Sequence, residues 1–482
     1  MNEVELLGLV ALGVGICLAD WRIGVFVCVV AGFLLDPIRK LMPGEPVYLT
    51  ALVGVFVAAT CLGAFLRGVR FSFRPIHRWN GSLRAPMAVF VGFVILQSGI
   101  AYLKTSSPVV PVIGLLAYLS PLPAILVGYY FPKSQEGIIK FIVIYLAISA
   151  VMVSGIYLSY AGYDWQLWSS VGEALVTYSP QGEQLTLLSG FFRAPEIAAW
   201  HAGASVCLLI VLFMVAPPKK TLRVLIIGAM MFFITALVLT GRRKFLVEIA
   251  VFGVVYLSIL ILFRRRAVKS AVLLFVAVVA SFQVYVFLVP DDFKATIEPY
   301  YERSAQVGEE GAGRLSQNSI ESFQYVIATN GIFGSGAGTG SQGAQYYGGG
   351  AQLVGGSAEG GLGKVLAELG LPGLVLLGWL GIAAIRYLWS IIAFVNRGSA
   401  STARLTFALA AFLTSNVLVF TAEHQAFGDV FILVMLGTLC GFVLAMPRLA
   451  GNGAALDIRR QPRPLQYPDM LVGVPLESGS RL

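Results

Sequence analysis

The chain has 482 residues, of which 57% are hydrophobic and only 12% charged. A soluble domain carries about 25% charged residues, so a soluble globular protein is excluded and the bilayer sets the architecture. The net charge of +9 falls in short connections between apolar runs, as membrane orientation requires, which argues against nucleic acid as a partner.

A span needs about 20 apolar residues. Such runs fall near Val4–Ala19, Ile23–Leu35, Val47–Leu66, Met87–Leu103, Val110–Phe131, Ile138–Leu158, Ile197–Val215, Leu222–Leu239, Phe245–Phe263, Ala271–Val289, Leu371–Phe394, Leu405–Phe420 and Phe431–Met446. The first two are short and separated by Asp20-Trp21-Arg22, as a hairpin or as one broken element. The expected fold is therefore an all-α polytopic bundle of about 12 to 14 transmembrane helices. Glu3 and Glu5 stand before the first run where a cleaved signal would be basic, so that run reads as a retained span. Residues 1–450 read as a single transmembrane domain, and 451–482 as an aperiodic cytoplasmic tail expected to be disordered. The cysteines (Cys17, Cys28, Cys61, Cys207, Cys440) stand inside apolar runs with no paired spacing, so neither a disulfide framework nor a metal site is expected.

Lysine and arginine in short loops set orientation. Arg67 to Arg84, Lys133, Lys219 to Arg223, Arg264 to Lys269, Arg397 with Arg404, and Arg448 onward form a series with two spans between successive members. These connections are assigned to the cytoplasm. The opposite side receives the acidic loops 159–196 and 290–363, the turn 241–244 and the connection 421–430. The turn Thr240-Gly-Arg-Arg-Lys244 breaks the pattern, because a basic triplet outside works against orientation. Guanidinium groups converging at a helix end make an anion site; anchoring to lipid headgroups, or a Lys244–Glu248 pair at i, i+4, is the plainer reading.

The interior reads as nearly free of charge, with Arg386 deepest and Glu248 about one turn in. That places an ion-coupled transporter, which needs buried charged relays, behind other readings. In the long loop, Ile320, Phe323, Val326 and Ile327 share one face of a short helix over 317–329, with Asn318 and Glu321 spaced as a capping box. The glycine-rich run Gly334-Ser-Gly-Ala-Gly-Thr-Gly340 reads as a flexible lid or as a backbone nest for phosphate, and 346–356 as plain linker.

Several of these segments, in order, resemble the bacterial O-antigen ligase/polymerase family. Leu239-Thr-Gly-Arg-Arg243 is similar to a span-ending arginine segment, and Gly190-Phe-Phe-Arg-Ala-Pro-Glu-Ile-Ala-Ala199 to an extracytoplasmic helix start. Gly313-Arg-Leu315 with Asn330 to Gly338 is similar to the large-loop signature. Glu359 to Gly373 resembles the return of that loop into the membrane. The resemblance implies a glycosyltransferase fold of the C superfamily and a donor glycan on undecaprenyl diphosphate. It implies transfer without metal or other cofactor on the periplasmic face of the bacterial inner membrane. It further implies partner proteins of polysaccharide assembly, a flippase and a chain-length regulator. Arg193, Arg242, Arg243 and Arg314 take the diphosphate-binding role.

Ligases of the family place His-Asn where this chain has Glu359, after Ser357-Ala358, which favours a polymerase of O-antigen or exopolysaccharide over a ligase or a flippase. Glu359 and His424 are alternative catalytic bases, and Glu196 and His201 are cavity-lining candidates. His77 falls on the cytoplasmic side.

Overall fold

The computed structural model describes residues 2–163, 165–168, 171, 176–178, 184–215, 220–288, 300, 302, 320–341, 344, 347, 360–422 and 424–460. The chain is mostly helical. Its helices are α1 (Glu3–Ala19), α2 (Trp21–Leu41), α3 (Leu52–Leu66), α4 (Arg74–Trp79), α5 (Arg84–Thr105), α6 (Val109–Leu119), α7 (Pro121–Tyr130) and α8 (Gln135–Tyr160). After them come α9 (Pro195–Val215), α10 (Lys220–Leu239), α11 (Lys244–Phe263), α12 (Arg265–Leu288), α13 (Ile320–Asn330), α14 (Gly361–Val395), α15 (Ala400–Ala422) and α16 (Val430–Arg460). Among the described residues, 11 helical segments are long and apolar enough to cross a membrane. The apolar helices α1 and α12 lie beside them.

The first two runs are separate helices. Asp20 ends α1, and its carboxylate caps α2 by accepting the backbone N–H groups of Arg22 (2.8 Å) and Ile23 (3.4 Å). The run expected over 110–131 is divided into α6 and α7, which meet at Ser120, just before the proline that starts α7. Helix α7 packs closely on α16 because small residues face each other. A Cβ on Gly128 would run into the Thr438 carbonyl, one on Gly441 into the Ile125 carbonyl, and one on Gly437 would come within 2.7 Å of the Pro121 carbonyl. Gly437 and Gly441 form the small-xxx-small spacing that lets membrane helices approach backbone to backbone.

The two ends of the bundle sort the connections as the lysine and arginine count groups them. At one end Arg22 donates to the Phe131 carbonyl, Arg67 to Ala19, and Arg448 to Tyr129 and Pro132. There too Arg264 binds Asn396, and Asn80 binds Ser390. The far end of α2, the start of α9, the α10–α11 turn and the start of α16 gather at the other end. Helix α9 is the hub: 89% of its spanning window is buried, against α8, α10, α11 and α15. Its alanines and glycine (Ala198, Ala199, Ala202, Gly203, Ala204) leave room for neighbours on every side.

Three features depart from the sequence reading. The loop before α9 contains an antiparallel hairpin, β1 (Val176–Tyr178) and β2 (Gln184–Thr186), with Val176 opposite Thr186. Helix α16 continues past Pro447 to Arg460, where an aperiodic tail was expected; 461–482 lie outside the described residues. Helix α14 starts at Gly361 rather than near Leu371, and it is broken at Gly370 (φ +69°), two residues before Pro372.

The glycine-rich run fills that break. Ser335 N–H donates to the Ala367 carbonyl (2.8 Å), Gly336 N–H to Glu368 (2.9 Å) and Ala337 N–H to Gln97 (3.2 Å), while Leu371 N–H donates to Ile332 (2.8 Å). The carbonyls freed by the break are thus satisfied inside the protein, which is the condition for non-helical backbone at membrane depth. Gly334, Gly336 and Gly338 all have positive φ, and a Cβ on Gly336 would lie 2.5 Å from the Ala101 nitrogen. The run is a fitted strap, not a loose lid; the linker expected over 346–356 lies outside the described residues. Helix α13 packs on α14 through Val326, Phe323 and Ile327, meeting Leu366 and Ala367, in line with the expected apolar face.

Replacing Gly128 or Gly441 with alanine is expected to cost about 1–3 kcal/mol through overpacking. The check is a lower melting temperature of the purified protein, with Gly8→Ala, which meets nothing within 4 Å, leaving it unchanged.

Candidate active site

Four elements meet at the second end. The loop before α9 is stitched to α2: Lys40 Nζ donates to the carbonyls of Leu167 (2.9 Å) and Gly190 (2.6 Å), and Gln166 donates to the Lys40 carbonyl (2.7 Å). Gly190, at φ +54°, makes the turn against Ile156 that brings Arg193 inward.

Arg193 then spans two carboxylates. Its Nη1 lies 2.9 Å from Asp36 Oδ1 and its Nη2 2.5 Å from Asp429 Oδ2, and its backbone N–H donates to Asp36 Oδ2 (3.2 Å). Burial disfavours the guanidinium charge, but the two carboxylates and their hydrogen bonds outweigh it and raise the pKa. Asp429 also caps α16 by accepting Ile432 N–H (2.9 Å). The triad therefore ties the ends of α2, α9 and α16 together, and its formal charge is −1. Arg193, expected among the diphosphate ligands, is held between two carboxylates in this arrangement, with 17% of its side chain exposed.

The basic turn is built differently. The Thr240 hydroxyl donates to the Leu237 carbonyl (2.6 Å) and accepts Arg242 N–H (3.3 Å). Gly241, at φ +67°, lies so close to Leu187 that a side chain there would collide with it. This turn aims Arg242 at the first turn of α9, where Arg242 Nη2 pairs with Glu196 Oε1. The Nε–H of Arg242 is buried with no partner among the described residues, although 26% of the side chain is exposed. Arg243 stands at the N-cap position of α11, half-buried. Lys244 is exposed and Glu248 fully buried, so the i, i+4 pair is not the arrangement found.

His201 is a core residue. It is 1% exposed, its ring stacks on Phe192 (5.1 Å) and lies near-parallel to Phe431 (5.2 Å), and its Nδ1 meets the Tyr145 hydroxyl at 2.8 Å. It does not line an open cavity. His424 is half-buried in the connection between α15 and α16, five residues before Asp429. Glu359 and Arg314 lie outside the described residues.

The interior carries more charge than the sequence reading allowed. Glu248 accepts Asn416 Nδ2 (2.7 Å), whose Oδ1 accepts Trp200 Nε1 (2.8 Å); the other carboxylate oxygen is buried and unpartnered among the described residues. Glu368 accepts the Tyr118 hydroxyl (2.7 Å) and Gly340 N–H (3.0 Å) beside the break in α14. Arg386, by contrast, is exposed on the outer face of α14. Asp36 and Lys40 escape the sequence pattern because the second apolar run stops at Leu35, and Asp429 because it stands in the polar connection before α16. The available signal was Asp36 and Lys40 at i, i+4, one helical face. No protein-family model matches the chain, and no curated protein matches it.

Removing both partners of Arg193 strands a desolvated guanidinium. Asp36→Ala with Asp429→Ala is expected to destabilise the protein by about 3–5 kcal/mol, read by thermal unfolding. Adding Arg193→Met to that pair is expected to recover most of the loss.

Proposed function

We propose that the chain is a membrane glycan polymerase of a surface polysaccharide, with a fold of the glycosyltransferase C superfamily. It transfers glycan from an undecaprenyl-diphosphate-linked donor to a lipid-linked acceptor repeat unit. The end of the bundle bearing Arg242 and Arg243 faces the periplasm of a bacterial inner membrane. The observation that carries the reading is Arg242: a guanidinium delivered by a glycine turn to the end of a span, still partly open, with a buried donor that no described protein group satisfies.

A diphosphate leaves only if its developing charge is stabilised, and fixed guanidinium donors at a partly dry interface do this better than water. Arg242 and Arg243 hold the diphosphate, with Arg314 from the large loop completing the site. Arg193 acts behind them, fixing the start of α9. The polyprenyl tail lies along the apolar spans. Flippase and chain-length regulator proteins supply the donor and limit the product.

A transporter or flippase is the second reading, favoured by Glu248, a buried carboxylate with one unsatisfied oxygen of the kind that ion-coupled carriers use. A ligase, moving glycan to a lipid or protein acceptor, shares the donor site and differs in acceptor.

The test is reconstitution in vesicles with a synthetic undecaprenyl-diphosphate repeat unit, with product length read by mass. Elongated chains are expected from the wild type, and Arg242→Ala or Arg243→Ala is expected to lower elongation by about 100-fold or more. Translocation without new glycosidic bonds would replace the polymerase reading with the transporter.

A further inference from the structure

The Glu196–Arg242 pair holds a carboxylate that diphosphate binding leaves unused, and a role for it rests on the polymerase reading. We infer that Glu196 is the catalytic base for the acceptor hydroxyl, and that Arg242 delivers it by exchanging its carboxylate for the donor's diphosphate.

Among the four titratable side chains gathered at the start of α9, Asp36, Asp429, His201 and Glu196, the geometry favours Glu196. His201, the nearest imidazole on the same helix, is closed between Phe192 and Phe431, with its Nδ1 held by Tyr145. Asp36 and Asp429 are both bound to Arg193, which ties three helix ends together. Glu196 is paired instead with Arg242, the side chain that is under-satisfied and partly open. Glu196 sits in the first turn of the most buried helix, 4% exposed, and that helix is fixed at its start by the Arg193 triad. A base there keeps its position when its arginine turns away.

The step balances without a further reactant. The acceptor sugar gives its hydroxyl proton to the Glu196 carboxylate, and its oxygen attacks the anomeric carbon of the donor glycan, forming the glycosidic bond. The anomeric carbon–phosphate oxygen bond breaks, and its electron pair leaves with undecaprenyl diphosphate. That leaving group takes the Nε–H and Nη–H donors of Arg242. Glu196 returns its proton to solvent when the product moves on, and Arg242 swings back to it. The exchange couples the two substrates, because the base is released from its ion pair only when a diphosphate is present to hold the arginine.

The experiment compares wild type, Glu196→Gln and Glu196→Asp in vesicles with the synthetic undecaprenyl-diphosphate repeat, measuring donor binding and the rate of bond formation separately. Glu196→Gln is expected to lower the rate by about 100-fold or more, while donor binding tightens, because Arg242 no longer has a carboxylate to leave. Glu196→Asp falls between. An acceptor fluorinated beside its hydroxyl, which ionises more readily, is expected to recover about tenfold of the rate in Glu196→Gln and to change wild type little; a group that only positions Arg242 would give no such recovery. Wild-type rates in Glu196→Gln, or loss of rate in step with donor binding, would overturn the base assignment while leaving the polymerase reading intact. Absence of bond formation by active, folded wild type would end both.

Discussion

A charge at the dry end of a membrane helix must find an opposite charge or a set of hydrogen bonds, and the second end of this bundle is arranged by that requirement. Arg193 lies between Asp36 and Asp429, and through them the ends of three helices are held in register. Lys40, fully buried, satisfies its ammonium with two carbonyls of the loop before α9 and so fixes that loop over the bundle. Beside these pairings stands the Glu196–Arg242 couple, whose arginine is not fully satisfied. The closed pairs tie helix ends together, and the Glu196–Arg242 couple leaves the Arg242 Nε–H without a partner among the described residues.

A second requirement operates on the backbone. Breaking α14 at Gly370 frees carbonyls at a depth of about two and a half helical turns from Gly361, where unsatisfied groups are costly. The strap 331–341 meets them one by one, and Glu368 joins it to Tyr118 on α6. Lys104, at the end of α5, donates to the Gly334 carbonyl (3.1 Å). The broken helix is therefore a filled joint between α5, α6, α13 and α14 rather than an open ion site.

The helices were legible because spans announce themselves by length and hydropathy, and the grouping of connections was legible because basic loops recur two spans apart, with the 240–244 turn as the exception. Arg193, Glu196 and Arg242 fall at one end of the bundle for the same reason. What escaped depends on contacts distant in sequence. Gly334, Gly336 and Gly338 read as flexible because their spacing alone shows no partner; the partners are Gln97, Ala101, Gly114 and Glu368, far along the chain. Asp36, one of the two partners of Arg193, escapes the pattern because it stands just beyond the apolar run that ends at Leu35. His201 could not be told from a lining residue until Phe33, Phe192 and Phe431 were seen around it.

A periplasmic diphosphate site requires the Arg242 turn to stand outside the cytoplasm, so labelling from one side of the membrane examines it most directly. In a cysteine-free background, Lys244→Cys on the exposed edge of that turn is treated in spheroplasts with a membrane-impermeant maleimide, beside Gly398→Cys at the opposite end. Labelling of residue 244 is predicted in sealed spheroplasts, and of residue 398 only after permeabilisation; the reverse pattern would contradict the polymerase reading at its root.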